Sequence, residues 1–154
     1  MITPKCKIIF MGTPEITIPT LETLHASNDF EISAVVTQED KRVGRKQELQ
    51  APPVKKWALG KGIPVLQPPV INNNKEFFEI LKSISPDFIV VFAYGRILPK
   101  SILELPKFSC LNIHVSLLPK YRGASPIEES LLNGDKETGI SIMKMVEKLD
   151  AGPL

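Results

Sequence analysis

The chain has 154 residues, 43% of them hydrophobic and 23% charged, which is enough to bury one core and is the size of one domain. A formal charge of +2 excludes a global electrostatic grip on nucleic acid, so any contact with a polyanion has to come from local clustering. Two cysteines, Cys6 and Cys110, are too few for a disulfide framework or a metal-ligand set and fit a reducing compartment.

The apolar run Ile8 to Met11 falls far below the roughly 20 residues that span a bilayer, and no secretory leader pattern surrounds it. A cytoplasmic protein with no membrane partner is expected. Lys7 to Met11 reads as a buried strand ending at Gly12 and Thr13. Thr13 and Pro14 predict the start of a helix, with Thr capping free amides and Pro preorganised for the first helical position. That helix would turn Ile16, Leu21 and Leu24 to the sheet and stop near Ser27, Asn28 and Asp29. One glycine stands where a dinucleotide fingerprint needs three, which disfavours a nicotinamide cofactor.

Ile32 to Thr37 is the second strand, with Ala34, Val35 and Val36 buried. Gln38 to Pro53 shows no hydrophobic periodicity and carries Lys41, Arg42, Arg45 and Lys46 around Gly44. It is either a solvated surface loop, its charge partly offset by Glu39, Asp40 and Glu48, or a flexible basic finger that meets phosphates. Val54 to Leu59 predicts a helix stopped near Gly60, with Trp57 as a packing anchor, and Pro64 to Leu66 a short strand. Asn74 is placed to cap a helix over Lys75 to Lys82. Pro86 ends that pattern, Phe88 to Phe92 is a strand, Ala93, Tyr94 and Gly95 form the turn after it, and Pro99 to Leu103 a short helix.

Chemistry concentrates in Leu111 to Gly123, LNIHVSLLPKYRG. Leu111, Ile113 and Val115 alternate with Asn112, His114 and Ser116, so a strand places the three polar side chains on one face. This strand is expected to be central in a parallel sheet, with Asn112 and His114 emerging at its carboxyl end, where such sheets hold ligands. The same spacing also occurs without function: a lone His in a strand is more often a satisfied core residue, and an Asn a turn group. Cys110 reads as a small buried hydrophobe rather than a nucleophile, and His25, at a helix end, as a surface residue. Pro126 to Leu132 predicts a helix and Gly139 to Met145 a strand, with Met143 and Met145 as packing. Val146 to Leu154 is then a loop returning Asp150 to the cleft. Strand and helix patterns alternate throughout, so the fold class is α/β, a Rossmann-like, mostly parallel sheet with helices on both faces.

The run NIHVSLLPKYRGASPI from Asn112 to Ile127, with LDAGP from Leu149 to Pro153, resembles the folate-dependent formyltransferases, whose pattern is Asn-x-His-x-Ser-Leu-Leu-Pro followed by a distal Asp. FMGTPE at Phe10 to Glu15, TQEDKRVGR at Thr37 to Arg45, PPVKKWA at Pro52 to Ala58 and FAYGRILPK at Phe92 to Lys100 are similar, in order, to members whose acceptor is methionyl-initiator tRNA. The resemblance covers essentially the whole chain. It implies transfer of a formyl group from 10-formyltetrahydrofolate to the amine of that tRNA, a step of translation initiation, through a tetrahedral species with no covalent enzyme intermediate and no metal.

Carried over residue by residue, it implies that Asn112 offers an amide N–H to the oxyanion, that His114 donates a hydrogen bond or proton there, and that Asp150 holds His114 and helps deprotonate the attacking amine. Tyr94, Ile97 and Leu98, with Arg96, would shape the pterin pocket, and Ser116, Leu117, Leu118 and Pro119 would contact the folate. Arg45, with Lys41, Arg42 and Lys46, would form the tRNA-binding loop, and Gly12 and Thr13 would lie near the acceptor. Four positions depart from the family pattern: Glu39 replaces a proline, Lys46 and Val115 replace glycines, and Glu128 replaces a glutamine. Val115 is expected to point away from Asn112 and His114.

The resemblance further implies that 1–154 is a formyltransferase catalytic domain, incomplete at its C-terminal end and without the barrel-like domain that follows in the family, and a monomer. Other folate-dependent enzymes, which formylate an amino sugar or glycinamide ribonucleotide or hydrolyse the donor, share the Asn, His and Asp set. A catalytically inactive folate- or RNA-binding fragment is the reading from another class. Only the basic loop and PPVKKWA separate the folate-dependent enzymes from one another.

Overall fold

The structure, a computed structural model, describes residues 4–154. In chain order it contains β1 (Cys6–Gly12), a single 3-10 turn at Glu15–Thr17, α1 (Ile18–Ala26), β2 (Phe30–Val36), β3 (Lys41–Val43), β4 (Glu48–Gln50), α2 (Pro53–Gly60), β5 (Val65–Leu66), α3 (Lys75–Ile84), β6 (Phe88–Phe92), α4 (Lys100–Leu103), β7 (Ser109–His114), α5 (Pro126–Leu132) and β8 (Ser141–Lys144).

Burial on both faces sets the architecture. Ile8 to Met11 of β1 are fully enclosed, and their side chains alternate between two cores as the period of a strand requires. Ile9 and Met11 join Ile89, Val91 and Cys110 on one side, covered by Phe77 and Leu81 of α3 and Ile102 of α4. Ile8 and Phe10 join Ile32, Val35 and Val90 on the other, covered by Leu21 of α1 and by Val54 and Ala58 of α2. Strands buried on both faces read as near-continuous apolar runs, which is why IIFM and FIVVF carry no polar alternation.

The six strands lie in the order β5-β2-β1-β6-β7-β8. All pairings are parallel except that of β7 with β8, so the sheet is mostly parallel with helices on both faces, as the alternation of patterns implies. Strand β7 is not central, however. It lies one place from the edge, between β6 and the antiparallel β8.

Three further local expectations are corrected. Thr13 does not cap a helix: the chain first makes the 3-10 turn, whose cap position is Pro14, α1 then starts after Thr17, and the Thr13 hydroxyl instead donates to the carbonyl of Tyr94 (3.2 Å). Ile16, on that turn, is consequently 47% exposed instead of facing the sheet. The basic segment is a two-stranded antiparallel hairpin, β3 with β4, in which Arg42 is paired with Leu49. Its residues are exposed on both faces, so no hydrophobic period marks it.

Helix α3 starts where Asn74 predicts, since the Asn74 Oδ1 accepts the Phe77 amide at 3.0 Å, satisfying one of the free N–H groups of the first turn. Asn74→Ala should therefore lower the unfolding free energy by about 1 kcal/mol in denaturant titration, and Asn74→Gly by only a few tenths. An Asn74→Ala variant as stable as the wild type would mean that the side-chain bond contributes nothing.

Candidate active site

The parallel pairing of β6 with β7 aligns Val91 with Asn112, so the carboxyl ends of these strands open on one level. There lies a cavity of about 560 Å³, within the range typical of small-molecule sites. It is lined by Phe92 and the loop from Ala93 to Leu98, by Asn112 to Val115, by Gly123, Ala124 and Pro126, and by Val146, Glu147, Leu149 and Asp150. Met143 and Met145 also line it, so they serve the site and not only packing. Val115 packs with Ile113 against the core on the Ile8 and Phe10 side of the sheet, and it also lines the cavity.

His114 and Asp150 are 6% and 7% exposed, and the imidazole Nδ1 stands 3.9 Å from the carboxylate Oδ2. The other ring nitrogen, Nε2, is 2.8 Å from the carbonyl oxygen of Tyr121. A carbonyl only accepts, so Nε2 carries the hydrogen, and Nδ1 is the ring position left to gain or lose a proton. The Asp150 Oδ2 in turn accepts the Gly123 amide at 2.9 Å. Asn112, two residues before His114 and partly buried, lines the same cavity.

Main-chain groups therefore orient both ionisable side chains, and the loop that carries those groups is itself secured. The Tyr121 hydroxyl donates to Asp135 Oδ2 at 2.8 Å, and that bond raises the phenol's pKa above its ordinary value. Ser116 Oγ donates to the Lys120 carbonyl (2.6 Å), while Ser141 Oγ donates to the Ser116 carbonyl (2.7 Å) and accepts the Leu118 amide (3.0 Å). Ser141 and the two main-chain partners, Tyr121 O and Gly123 N, were not legible as site components. Backbone atoms are present at every residue, and Ser141 acts only because β8 returns antiparallel beside His114.

Other expected site residues fall in different places. Tyr94 and Leu98 line the cavity but are buried in the adjoining core, and burial pushes the Tyr94 phenol up to about 12. Ile97 lines the cavity and is 78% exposed. Ser116, Leu117, Leu118 and Pro119 are not brought to the cavity. Strand β7 ends at His114, the Ser116 hydroxyl is taken up by its own turn, and Leu117 faces a separate surface depression with Lys120, Tyr121 and Asp135. Lys41, Arg42, Arg45 and Lys46 are exposed on the hairpin. Cys110 donates to the Ile102 carbonyl (3.5 Å), and burial pushes its thiol up to about 12, far from a nucleophile's range. His25 is exposed, edge-on to Trp57 at 5.6 Å. Among the described residues no cluster of His, Cys, Asp and Glu is arranged to hold a metal ion, and no helix is long and apolar enough to cross a membrane.

The fold defines a Rossmann-like α/β protein with a cavity at the carboxyl ends of its parallel strands, the end of such sheets that holds ligands. The chain belongs to the formyl transferase family, whose sequence model matches residues 6–154. It is 54% identical over 147 residues to the methionyl-tRNA formyltransferase of Caldicellulosiruptor saccharolyticus, covering 96% of this chain and 47% of that protein. It is 51% identical over 148 residues to the methionyl-tRNA formyltransferase of Bacillus subtilis, covering 96% of this chain and 46% of that protein. The chain thus spans about half the length of the curated relatives it matches. In fold it is similar to phosphoribosylglycinamide formyltransferase from Bacillus halodurans, with a TM-score of 0.76 at 23% identity over 96% of this chain and 75% of that one. It is also similar to a formyltetrahydrofolate deformylase from Pseudomonas syringae pv. tomato, with a TM-score of 0.75 at 24% identity over 98% of this chain and 49% of that one.

The strap that carries Asp150 lies close against β8, where the Lys144 amide donates to the Pro153 carbonyl at 2.9 Å. A Cβ on Gly152 would overlap the Lys144 carbonyl, so no other residue fits there without displacing the strap. Gly152→Ala should loosen Asp150 from the Gly123 amide, visible as faster hydrogen exchange at Gly123 while the amides of β1 and β6 keep their protection. Unchanged exchange at Gly123 would show that Gly152 does not hold the carboxylate in place.

Proposed function

We propose that this cavity transfers a formyl group from N10 of 10-formyltetrahydrofolate to the amino group of methionyl-initiator tRNA. The names of the relatives support the acceptor, and the observation that carries the chemistry is the buried pair of His114 Nδ1 and Asp150 Oδ2 with Nε2 committed to a carbonyl. Attack of the amine on the formyl carbon gives a tetrahedral species with a negative oxygen and a positive nitrogen. The Asn112 amide N–H stabilises that oxygen. His114 takes the amine's proton at Nδ1, the imidazolium is held by the facing carboxylate, and the proton passes to N10 as the carbon–nitrogen bond breaks. Every proton is accounted for without a covalent enzyme adduct.

The cavity suits a flat heterocycle, since Val91, Ile113, Val115 and Met143 supply apolar walls and the Ala93 to Arg96 backbone a polar rim. In this reading residues 1–154 belong to the formyl-transferring domain, and the exposed cations Lys41, Arg42, Arg45 and Lys46 meet the phosphates of the tRNA. The basic hairpin favours a polyanionic acceptor over glycinamide ribonucleotide or an amino sugar.

His114→Ala should lower turnover by about 10²- to 10⁴-fold while leaving donor binding nearly intact. A variant that formylates at the wild-type rate would end the assignment. Arg45→Ala should raise the KM for tRNA and make its logarithmic salt dependence shallower by about one unit, with no change in the KM for donor. Parallel assays with methionyl-initiator tRNA, glycinamide ribonucleotide and an amino-sugar nucleotide decide the acceptor, and turnover only with either of the latter two would overturn it.

A further inference from the structure

The basic hairpin is joined to the wall of the cavity at its root. Gln38 Nε2 donates to the Tyr94 carbonyl at 2.9 Å, and Gln38 Oε1 accepts from Lys41 Nζ, the first residue of β3, at 2.7 Å. Gly95, at φ +79°, lies against this amide, and a Cβ there would overlap Nε2, so the bare backbone is what lets Gln38 reach Tyr94. One residue on, Arg96 donates through Nη1 to the carbonyls of Pro68 (3.1 Å) and Pro69 (2.6 Å) and brings Nη2 to 3.8 Å from Glu39. Gln67 Nε2 donates to the Gln38 carbonyl and to Asp40 Oδ1, both at 2.8 Å, and Lys55 Nζ lies 2.8 Å from the same carboxylate. The bonds from Gln67 and Lys55 hold the Asp40 carboxyl below the usual carboxylate range.

Gln38 does not line the cavity, yet one side of its amide holds the loop that does and the other holds a cation of the hairpin. An ammonium has three donors, so Lys41 can serve a phosphate and Gln38 together. A phosphate fixed on Lys41 restrains Gln38 and, through Nε2, the Tyr94 to Arg96 backbone. We propose that Gln38 is a positioning residue that makes binding of an RNA phosphate backbone on the hairpin and of the folate donor in the cavity cooperative. This rests on the reading of hairpin and cavity given above. Linkage makes the effect reciprocal: the donor tightens RNA binding by the same factor.

The test measures the dissociation constant of the full chain for 5-formyltetrahydrofolate, a non-reacting analogue, with and without saturating methionyl-initiator tRNA. In the wild type, tRNA should tighten analogue binding about 5-fold or more. Gln38→Ala should bring that ratio to one. Gln38→Glu should do the same, because a carboxylate keeps Lys41 but cannot donate to the Tyr94 carbonyl, whereas Arg96→Lys, which leaves this bond, should retain most of the ratio. A wild-type ratio of one, or Gln38 variants that keep the wild-type ratio, overturns the proposal. A ligand-free arm separates the two readings: Gln38→Ala should speed amide exchange at Gly95 to Ile97 and leave Val90 and Val91 unchanged. Equal exchange overturns the tie even where both ligands bind. Faster exchange in a protein that binds neither ligand defeats the formyl-transfer reading while the mechanical link through Gln38 stands.

Discussion

Parallel pairing of β1 with β6 and of β6 with β7 is the constraint on which the molecule depends. It brings the carboxyl ends of these strands to one side, and the side chains buried on both faces of β1 and β6 keep that register from slipping. A shift of one residue on β7 would turn Asn112 and His114 to the other face. The antiparallel β8 adds the second requirement, because it carries the chain away from the site so that Val146 to Asp150 return across its mouth.

Much of this scaffold was legible in the sequence, for physical reasons that can be named. The runs IIFM and FIVVF are apolar at every position, and Asn74 has no better use than a cap. What was not legible depends on long-range contacts. Thr13 looked like a cap because capping is local, but its hydroxyl is claimed by Tyr94, far along the chain. The hairpin β3–β4 lacks a buried face and so lacks a period. Alternation through Ser116 suggested a longer β7, yet the strand stops at His114 and the next turn rotates Leu117 away from the cavity. That His114 and Asp150 approach each other followed from a resemblance, whereas their backbone partners leave no trace in residue identity.

Among the side-chain-bearing residues with positive φ, Ala93 and Asp150 line the cavity and Tyr121 lies on the loop that bonds His114. Ala93, Tyr121 and Asp150 adopt φ values of +48°, +55° and +44°, a region that disfavours side-chain-bearing residues. Such conformations cost about 1 kcal/mol or more each and persist only where surrounding contacts over-determine them. Here those contacts are present: Tyr94 O beside Ala93 accepts two donors, Tyr121 is bonded at its hydroxyl, and Asp150 is bonded at its carboxylate.

The imidazole and the carboxylate are each gripped by a peptide group, and the two peptide groups are consecutive, one on each side of Arg122. Substitution cannot delete a carbonyl oxygen, and of the coded residues only proline removes an N–H. The exposed side chain of Arg122, which lies between the two, can therefore vary without removing either partner of His114 or Asp150. The aim of both side chains is thus written into the path of the main chain and not into the identity of the residue between them.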